Sequence, residues 1–272
     1  MSTESPMPSQ DRLVGGAAIV TGGSSGIGRA IAEALAAGGA PVALVDLLPE
    51  GGRDAAEGIA RSGGRAVFLE GDVSRWPDVD RVVTEAVRAL GPLGIMVNAA
   101  GVLDGYTPAD RMAPALWERV VAIDLTGTFW GCKRALTELL PKGQGRIVNI
   151  ASVAGLVGSG GGPAYTAAKH GVVGLTRQLA ITYAGQGVTV NAICPGAIQT
   201  SLRANSGRIL GPDAPAVMGG VGASEEAIRA ITPAGRRGTL GEVAAAAVYL
   251  ASEAAAYVTG QTLVVDGGWT AA

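Results

Sequence analysis

The 272-residue chain contains one histidine, His170, and two cysteines, Cys132 and Cys194. A Ser-His-Asp triad would have only His170 to use, and a metal site would have at most one imidazole. Neither is expected, no metal is assigned, and His170 reads as structural. Both cysteines fall in apolar surroundings, which points to buried thiols in a reducing compartment and away from a disulfide framework. No apolar run reaches 18 residues, so no membrane span is expected. The first dozen residues, Met1 to Arg12, lack the apolar segment of a secretory signal and read as a disordered tail. Neither charge sign is in excess: 21 Lys and Arg stand against 23 Asp and Glu, a net charge of −2. That excludes an extended surface for nucleic acid or anionic lipid. A cytoplasmic protein acting on a small molecule remains.

Hydrophobic residues make up 48% of the chain, enough for one sizeable core over residues 13–272. Strand-like and helix-like stretches alternate and no internal repeat is visible. Gly15–Thr21 reads as a short buried strand, followed by the loop Thr21-Gly22-Gly23-Ser24-Ser25-Gly26-Ile27-Gly28 and a helical stretch from Arg29. Strand, glycine loop and helix form the context a dinucleotide requires, because glycines let the backbone approach a pyrophosphate and the helix start offers free N–H groups. The spacing is Gly-x3-Gly-x-Gly, and alone it fits an ordinary tight turn as well. The second strand, Pro41–Asp46, ends in an acidic residue 18 positions after Gly28. An acid there can bind ribose hydroxyls and repel a 2′-phosphate.

Further helices are expected over Asp54–Ser62, Pro77–Leu90, Pro114 to about Leu140, and Thr239–Ser252. Further strands are expected over Arg65–Glu70, Gly94–Val97, Arg146–Ala151, Gly187–Cys194, and from Gln261. The alternation predicts an α/β fold with a doubly wound parallel sheet.

Tyr165 and Lys169 are four apart on a helix that Pro163 can start, so both side chains share one face. An ammonium beside a phenol stabilises the phenolate and is expected to lower a pKa that is ordinarily ~10. Such a pair can exchange a proton near neutral pH. Ser152 follows a buried strand and is placed to face the crevice at the sheet's carboxyl end. Taken alone, a Tyr and a Lys four apart occur by chance in many proteins.

In combination these stretches resemble the short-chain dehydrogenase/reductase family over about Leu13–Trp269. The matching motifs are TGGSSGIG at Thr21–Gly28, Asp72-Val73, NAAG at Asn98–Gly101, Ser152, YTAAK at Tyr165–Lys169, and Pro195-Gly196 with Thr200. The resemblance implies a Rossmann sheet of order 3-2-1-4-5-6-7 and NAD(P)-dependent interconversion of an alcohol and a carbonyl; Asp46 points to NAD as the cofactor, and a secondary alcohol and a ketone are the expected couple. It implies that Gly22, Ser24, Ser25, Gly26 and Ile27 hold the phosphates and neighbouring ribose. Asp46, with Leu47 beside it, would hold the adenosine ribose, and Asp72 and Val73 the adenine. Asn98, Ala99, Ala100 and Gly101 would flank the cofactor, and Pro195, Gly196, Ile198 and Thr200 would line the nicotinamide side. Tyr165 would be the acid/base, Lys169 would bind the nicotinamide ribose, and Ser152 would hold the substrate oxygen. A homotetramer is also implied, paired through the helices from Pro114 and Tyr165 and through Val264–Ala272.

The chain departs from the family at Asp124, where an Asn usually holds a water in a proton relay from the lysine. Asp124 is therefore a candidate relay acceptor or a structural residue. Residues 200–238 read as loop, apart from a helical patch at Glu225–Ile231, and suit a substrate lid. Leu202, Ile209, Leu210, Val217 and Met218 would be its apolar members, with Leu103, Tyr106 and Val153–Val157 completing an apolar pocket. Arg203 and Arg208 leave a carboxylated substrate open. A 3-oxoacyl thioester reductase, a sugar or polyol dehydrogenase, and a silent cofactor-binding protein are the alternative functions.

Overall fold

Seven runs rich in β-branched and aliphatic residues form one parallel sheet: β1 Ala17–Thr21, β2 Val42–Asp46, β3 Ala66–Glu70, β4 Leu93–Asn98, β5 Gly145–Ile150, β6 Val188–Pro195 and β7 Thr262–Val265. The computed structural model describes residues 12–215, 219 and 224–271. The spatial order is β3-β2-β1-β4-β5-β6-β7, parallel throughout. The order reverses between β1 and β4, which opens a crevice outside the carboxyl ends of the strands.

The strands lack a polar/apolar alternation because both sheet faces are covered. Ala18, Val20, Leu44, Val97 and Val148 join one core with Ile31, Leu35, Val243 and Leu250. Their neighbours Ile19, Val45, Met96 and Ile147 join the opposite core with Val82, Ala86, Ala135 and Leu139. The helices among the described residues are α1 Gly26–Ala37, α2 Pro49–Arg61, α3 Trp76–Leu90, α4 Pro114–Val121, α5 Gly127–Leu139, α6 Pro163–Tyr183, α7 Leu202–Leu210, α8 Glu225–Ile231 and α9 Leu240–Ala251, and those core residues come from α1, α3, α5 and α9. Registers Thr21↔Asn98 and Asn98↔Asn149 bring polar residues level at the carboxyl end of the central strands.

Several boundaries differ from the sequence expectation. Helix α2 starts at Pro49, where the proline occupies the first turn that needs no N–H donor. The stretch from Pro114 is divided by a π-turn over Ala122–Thr126, which contains Asp124. Arg12, expected in the tail, accepts the Glu253 N–H at 2.8 Å through its carbonyl and pairs with the Glu253 carboxylate at 3.4 Å. Residues 200–238, expected to be mostly loop, contain α7. Its Ser, Asn and Gly content disfavours helix locally. Tertiary bonds hold it: the Leu103 N–H donates to Ser206 Oγ at 2.9 Å, and Asn205 Nδ2 to Ser25 Oγ at 2.9 Å. Val217 and Met218 lie outside the described residues.

Candidate active site

The glycine loop is shaped by contacts that exclude side chains. Gly22 has φ +69°, and a Cβ there would lie 2.8 Å from the Ala100 nitrogen. A Cβ on Gly28 would lie 2.2 Å from the Gly22 oxygen. These positions bring α1 and the 98–101 turn close to the loop. Ser25 precedes α1 without a side-chain capping bond. The first-turn N–H groups are therefore available to an anion.

A cleft runs from this loop along the carboxyl ends of the strands. Gly22, Ser25, Gly26, Ile27, Asp46 and Leu47 line one part, with Val73 beside them. Ala99, Ala100 and Gly101 line its middle, and Ser152, Tyr165, Lys169, Pro195, Gly196, Ile198 and Thr200 its far end. The Asp46 carboxylate accepts the Ser24 N–H at 3.0 Å and the Leu48 N–H at 3.1 Å. Its burial pushes its pKa above the ordinary value against those bonds.

Three expected cofactor residues do not line the cleft. Ser24 is buried and its hydroxyl donates to the Leu48 carbonyl at 2.8 Å. Asp72 accepts Ser74 Oγ at 2.6 Å and Arg119 Nη2 at 3.1 Å. Although burial opposes it, these bonds hold the Asp72 carboxyl below its ordinary pKa. Asn98 turns into the core, where its Nδ2 donates to Asn149 Oδ1 at 2.8 Å and Asn149 Nδ2 donates to Thr176 Oγ1 at 2.9 Å. Each of these side chains is engaged in bonds within the protein.

At the far end, Ser152 caps a short 3-10 turn by accepting the Ala154 N–H at 3.1 Å. The Ser152 side chain also acts to lower the pKa of the buried Tyr165 phenol. Lys169 Nζ lies 5.4 Å from the Tyr165 ring centre and donates to the Ile150 carbonyl at 3.1 Å. On its other side it meets Asp124 Oδ2 at 3.4 Å. The Val102 N–H donates to Asp124 Oδ1 at 2.8 Å. Asp124 is completely buried, and burial pushes its carboxyl up to about 6 despite the nearby ammonium. Burial acts to lower the Lys169 pKa, but Asp124 and Tyr165 together raise it above the ordinary value, so the amine stays charged.

The lowered tyrosine pKa expected from the Tyr–Lys spacing is not the net outcome. Burial is the largest influence and drives the phenol up; Lys169 and Ser152 pull it down, and Asp124 pushes it up again. Chemically, the group can still give or take a proton at a substrate oxygen, with a fixed ammonium stabilising the phenolate. His170 stands on the exposed side of α6, with Nδ1 3.0 Å from the Thr166 carbonyl. Among the described residues no group of three or more His, Cys, Asp or Glu is placed to hold a metal. No described helix is long and apolar enough to cross a membrane.

Sequence reasoning missed Asp104. It is fully buried, and its carboxylate accepts the N–H groups of Gly162 at 3.0 Å, Tyr165 at 3.0 Å and Tyr106 at 3.2 Å. It thus anchors the start of the Tyr165 helix, whose first residue Pro163 has no N–H to offer. The only local signal was an Asp shortly after NAAG, and its partners Gly162 and Tyr165 lie 58 and 61 residues away.

A second cavity of about 700 Å³ opens beside the cleft. Ser152, Tyr165, Gly196, Ile198, Thr200 and Leu202 border both, so the Tyr165 phenol stands at their junction. Leu103, Tyr106 and Val153 line the second cavity as expected of a substrate pocket, and Ile209 lines the cleft. Leu210 packs in the core instead.

A family model described as enoyl-(acyl carrier protein) reductase matches residues 22–270. The chain is 37% identical over 260 residues to 3β-hydroxysteroid dehydrogenase 2 of Eggerthella lenta, covering 95% of this chain and 96% of that one. It is 40% identical over 254 residues to cis-4-hydroxycyclohexanecarboxylate dehydrogenase of Sinomonas cyclohexanicum, covering 93% and 96%. A crystal structure from Beutenbergia cavernae is described as an NAD(P)-dependent gluconate 5-dehydrogenase with NADP at low occupancy. It superposes with a TM-score of 0.84 at 38% identity, covering 97% of this chain and all of that one. The chain is an oxidoreductase that interconverts alcohols and ketones, and it belongs to the short-chain dehydrogenase/reductase family.

Proposed function

We propose that the protein is an NAD(H)-preferring dehydrogenase of ring-bearing secondary alcohols, with Tyr165 as the acid/base. The observation that carries this is Tyr165 itself: it lies where the loop-lined cleft meets the second cavity, with Ser152 and Lys169 at the same place. The residues fit a nicotinamide dinucleotide, because Gly22 and Gly28 leave the loop without side chains and Asp46 lines the cleft beside that loop. Gly22, Ser25, Gly26 and Ile27 would hold its phosphates, and the Asp46 carboxylate its ribose hydroxyls, repelling a 2′-phosphate. The bound cofactor supplies or accepts the hydride. Ser152 orients the substrate oxygen, Tyr165 takes or gives the hydroxyl proton, and Lys169 stabilises the phenolate. Asp124 holds Lys169 as an ammonium.

Helix α7 serves as part of a substrate lid, latched by the Asn205–Ser25 and Leu103–Ser206 bonds. The ring preference is supported by the aromatic residues Tyr106 and Trp269 lining the second cavity and by the relatives named for hydroxysteroid and hydroxycyclohexane substrates. The two buried free cysteines suit a reducing cytoplasm. Trp117, Phe129 and Ile181 present apolar surface on α4, α5 and α6, which supports a homotetramer. Turnover of cyclic alcohols, acyl thioesters and sugar acids, each with NAD and NADP, tests the reading. A preference for thioesters or sugar acids would overturn the substrate class.

A further inference from the structure

The second cavity has an unusual concentration of aromatic residues. The chain has only eleven, and three of them, Tyr106, Tyr165 and Trp269, line this one space. Tyr165 is accounted for by its phenol. The other two need a reason.

Tyr106 is the sole non-glycine residue with positive φ among the described residues, at +58°. A tyrosine is strained in that region, and glycine or asparagine would occupy it more easily. It follows Gly105, itself at φ +66°, so the backbone makes a left-handed bend that presents the side chain at the cavity. The bend is rigidly held. Asp104 takes the Tyr106 N–H, and the same carboxylate holds Gly162 and Tyr165 on the reactive helix. The Asp104 carbonyl also accepts the Thr107 hydroxyl at 2.9 Å. Tyr106 is therefore fixed relative to Tyr165 through one buried carboxylate.

Trp269 has a comparable anchor from a separate part of the chain. The Asp266 carboxylate, just past β7, accepts the Gly268 N–H at 2.9 Å, the Thr270 N–H at 2.7 Å and the Thr270 hydroxyl at 2.8 Å. These bonds flank Trp269 on both sides and set its backbone. The Arg237 and Glu225 side chains at the cavity pair with each other at 2.6 Å.

We infer that Tyr106 and Trp269 are the specificity-determining residues of this site, and that they contact the ring system of the substrate. Pre-set aromatic faces lose little conformational freedom on binding and favour a flat or fused ring over a flexible alkyl chain. The left-handed strain at Tyr106 is retained because the ring it presents is used in binding. This rests on the dehydrogenase reading above.

The test uses full-length protein with a fused-ring alcohol, 2-tetralol, and an open-chain alcohol, 2-octanol, with whichever of NAD and NADP supports turnover. The wild type should favour 2-tetralol in kcat/KM. Tyr106→Gly, which suits the left-handed backbone, and Trp269→Ala should each reduce that preference about three- to tenfold, mainly through KM. Neither residue lines the cofactor cleft, so binding of the reduced cofactor, followed by fluorescence, should be unchanged and reports an intact fold. An unaltered 2-tetralol/2-octanol ratio in both variants with cofactor binding intact would overturn the inference, as would a wild type that favours 2-octanol. A wild type that binds cofactor yet oxidises neither alcohol overturns the dehydrogenase reading itself, a different failure.

Discussion

Lys169 Nζ stands 3.4 Å from Asp124 Oδ2, and the Asp124 residue has no solvent exposure. The family's usual amide at this position would leave the lysine without an anionic partner there. The carboxylate raises the lysine's pKa and adds a negative charge near Tyr165, which pushes the phenol up.

Asp124→Asn removes that negative charge. The phenol's pKa should fall, and the rising limb of the pH–rate profile for alcohol oxidation should move to lower pH, with most of kcat retained. Asp124→Leu should lose most activity, because it removes the acceptor for Val102 and the partner of Lys169. Steady-state kinetics between pH 6 and pH 10 distinguish the two, and an unmoved limb in the Asn variant would contradict the charge argument.

The same residue makes a stability prediction. Its carboxyl is raised to about 6, above the unfolded value of 3.8. The folded state therefore binds this proton more tightly than the unfolded state. The stabilisation is complete below the unfolded value and is lost as pH rises through about 6. The stability of Asp124→Asn relative to wild type should rise between pH 4.5 and pH 8, by an amount on the order of 2 kcal/mol. Thermal melts across that range check it.

Tyr165→Phe should lower kcat by about 10²–10⁴-fold, the span that general acid/base groups supply. Affinity for the reduced cofactor should stay within a few-fold, because only the phenol oxygen is removed. Substantial residual turnover would sink the acid/base assignment.

Wild-type protein should favour NAD over NADP in kcat/KM. Replacing Asp46 by Ala together with Leu47→Arg should shift the ratio towards NADP by at least tenfold, or ~1.4 kcal/mol. Paired initial-rate measurements with the two cofactors decide the matter, and equal use of both by the wild type would count against the role of Asp46.

Asp104→Ala should destabilise the fold by roughly 2–4 kcal/mol, since it leaves three backbone N–H groups without their acceptor. Urea unfolding measures it. A change below about 0.5 kcal/mol, the scale of an ordinary surface substitution, would show that Asp104 does not anchor the Tyr165 helix.

Much of this architecture is local and was legible in the chain. Buried strands announce themselves as continuous apolar runs, tight turns as glycines, and the reactive helix as Pro163 followed by Tyr165 and Lys169 on one face. The motifs, in their order along the chain, resemble the short-chain dehydrogenase/reductase family, and it was that resemblance that implied the sheet order observed. What required tertiary structure depends on residues distant in sequence. Helix α7 has weak local propensity and is held by bonds to Ser25 and Leu103. Asn98 sits in the NAAG motif, yet its side chain is claimed by Asn149, 51 residues further on. The direction of the Tyr165 pKa depends on burial, which spacing does not report. The charge and hydrogen-bonding types were written into the chain; the desolvation and partners that set their strength arise only when the sheet brings β4, β5 and α6 together.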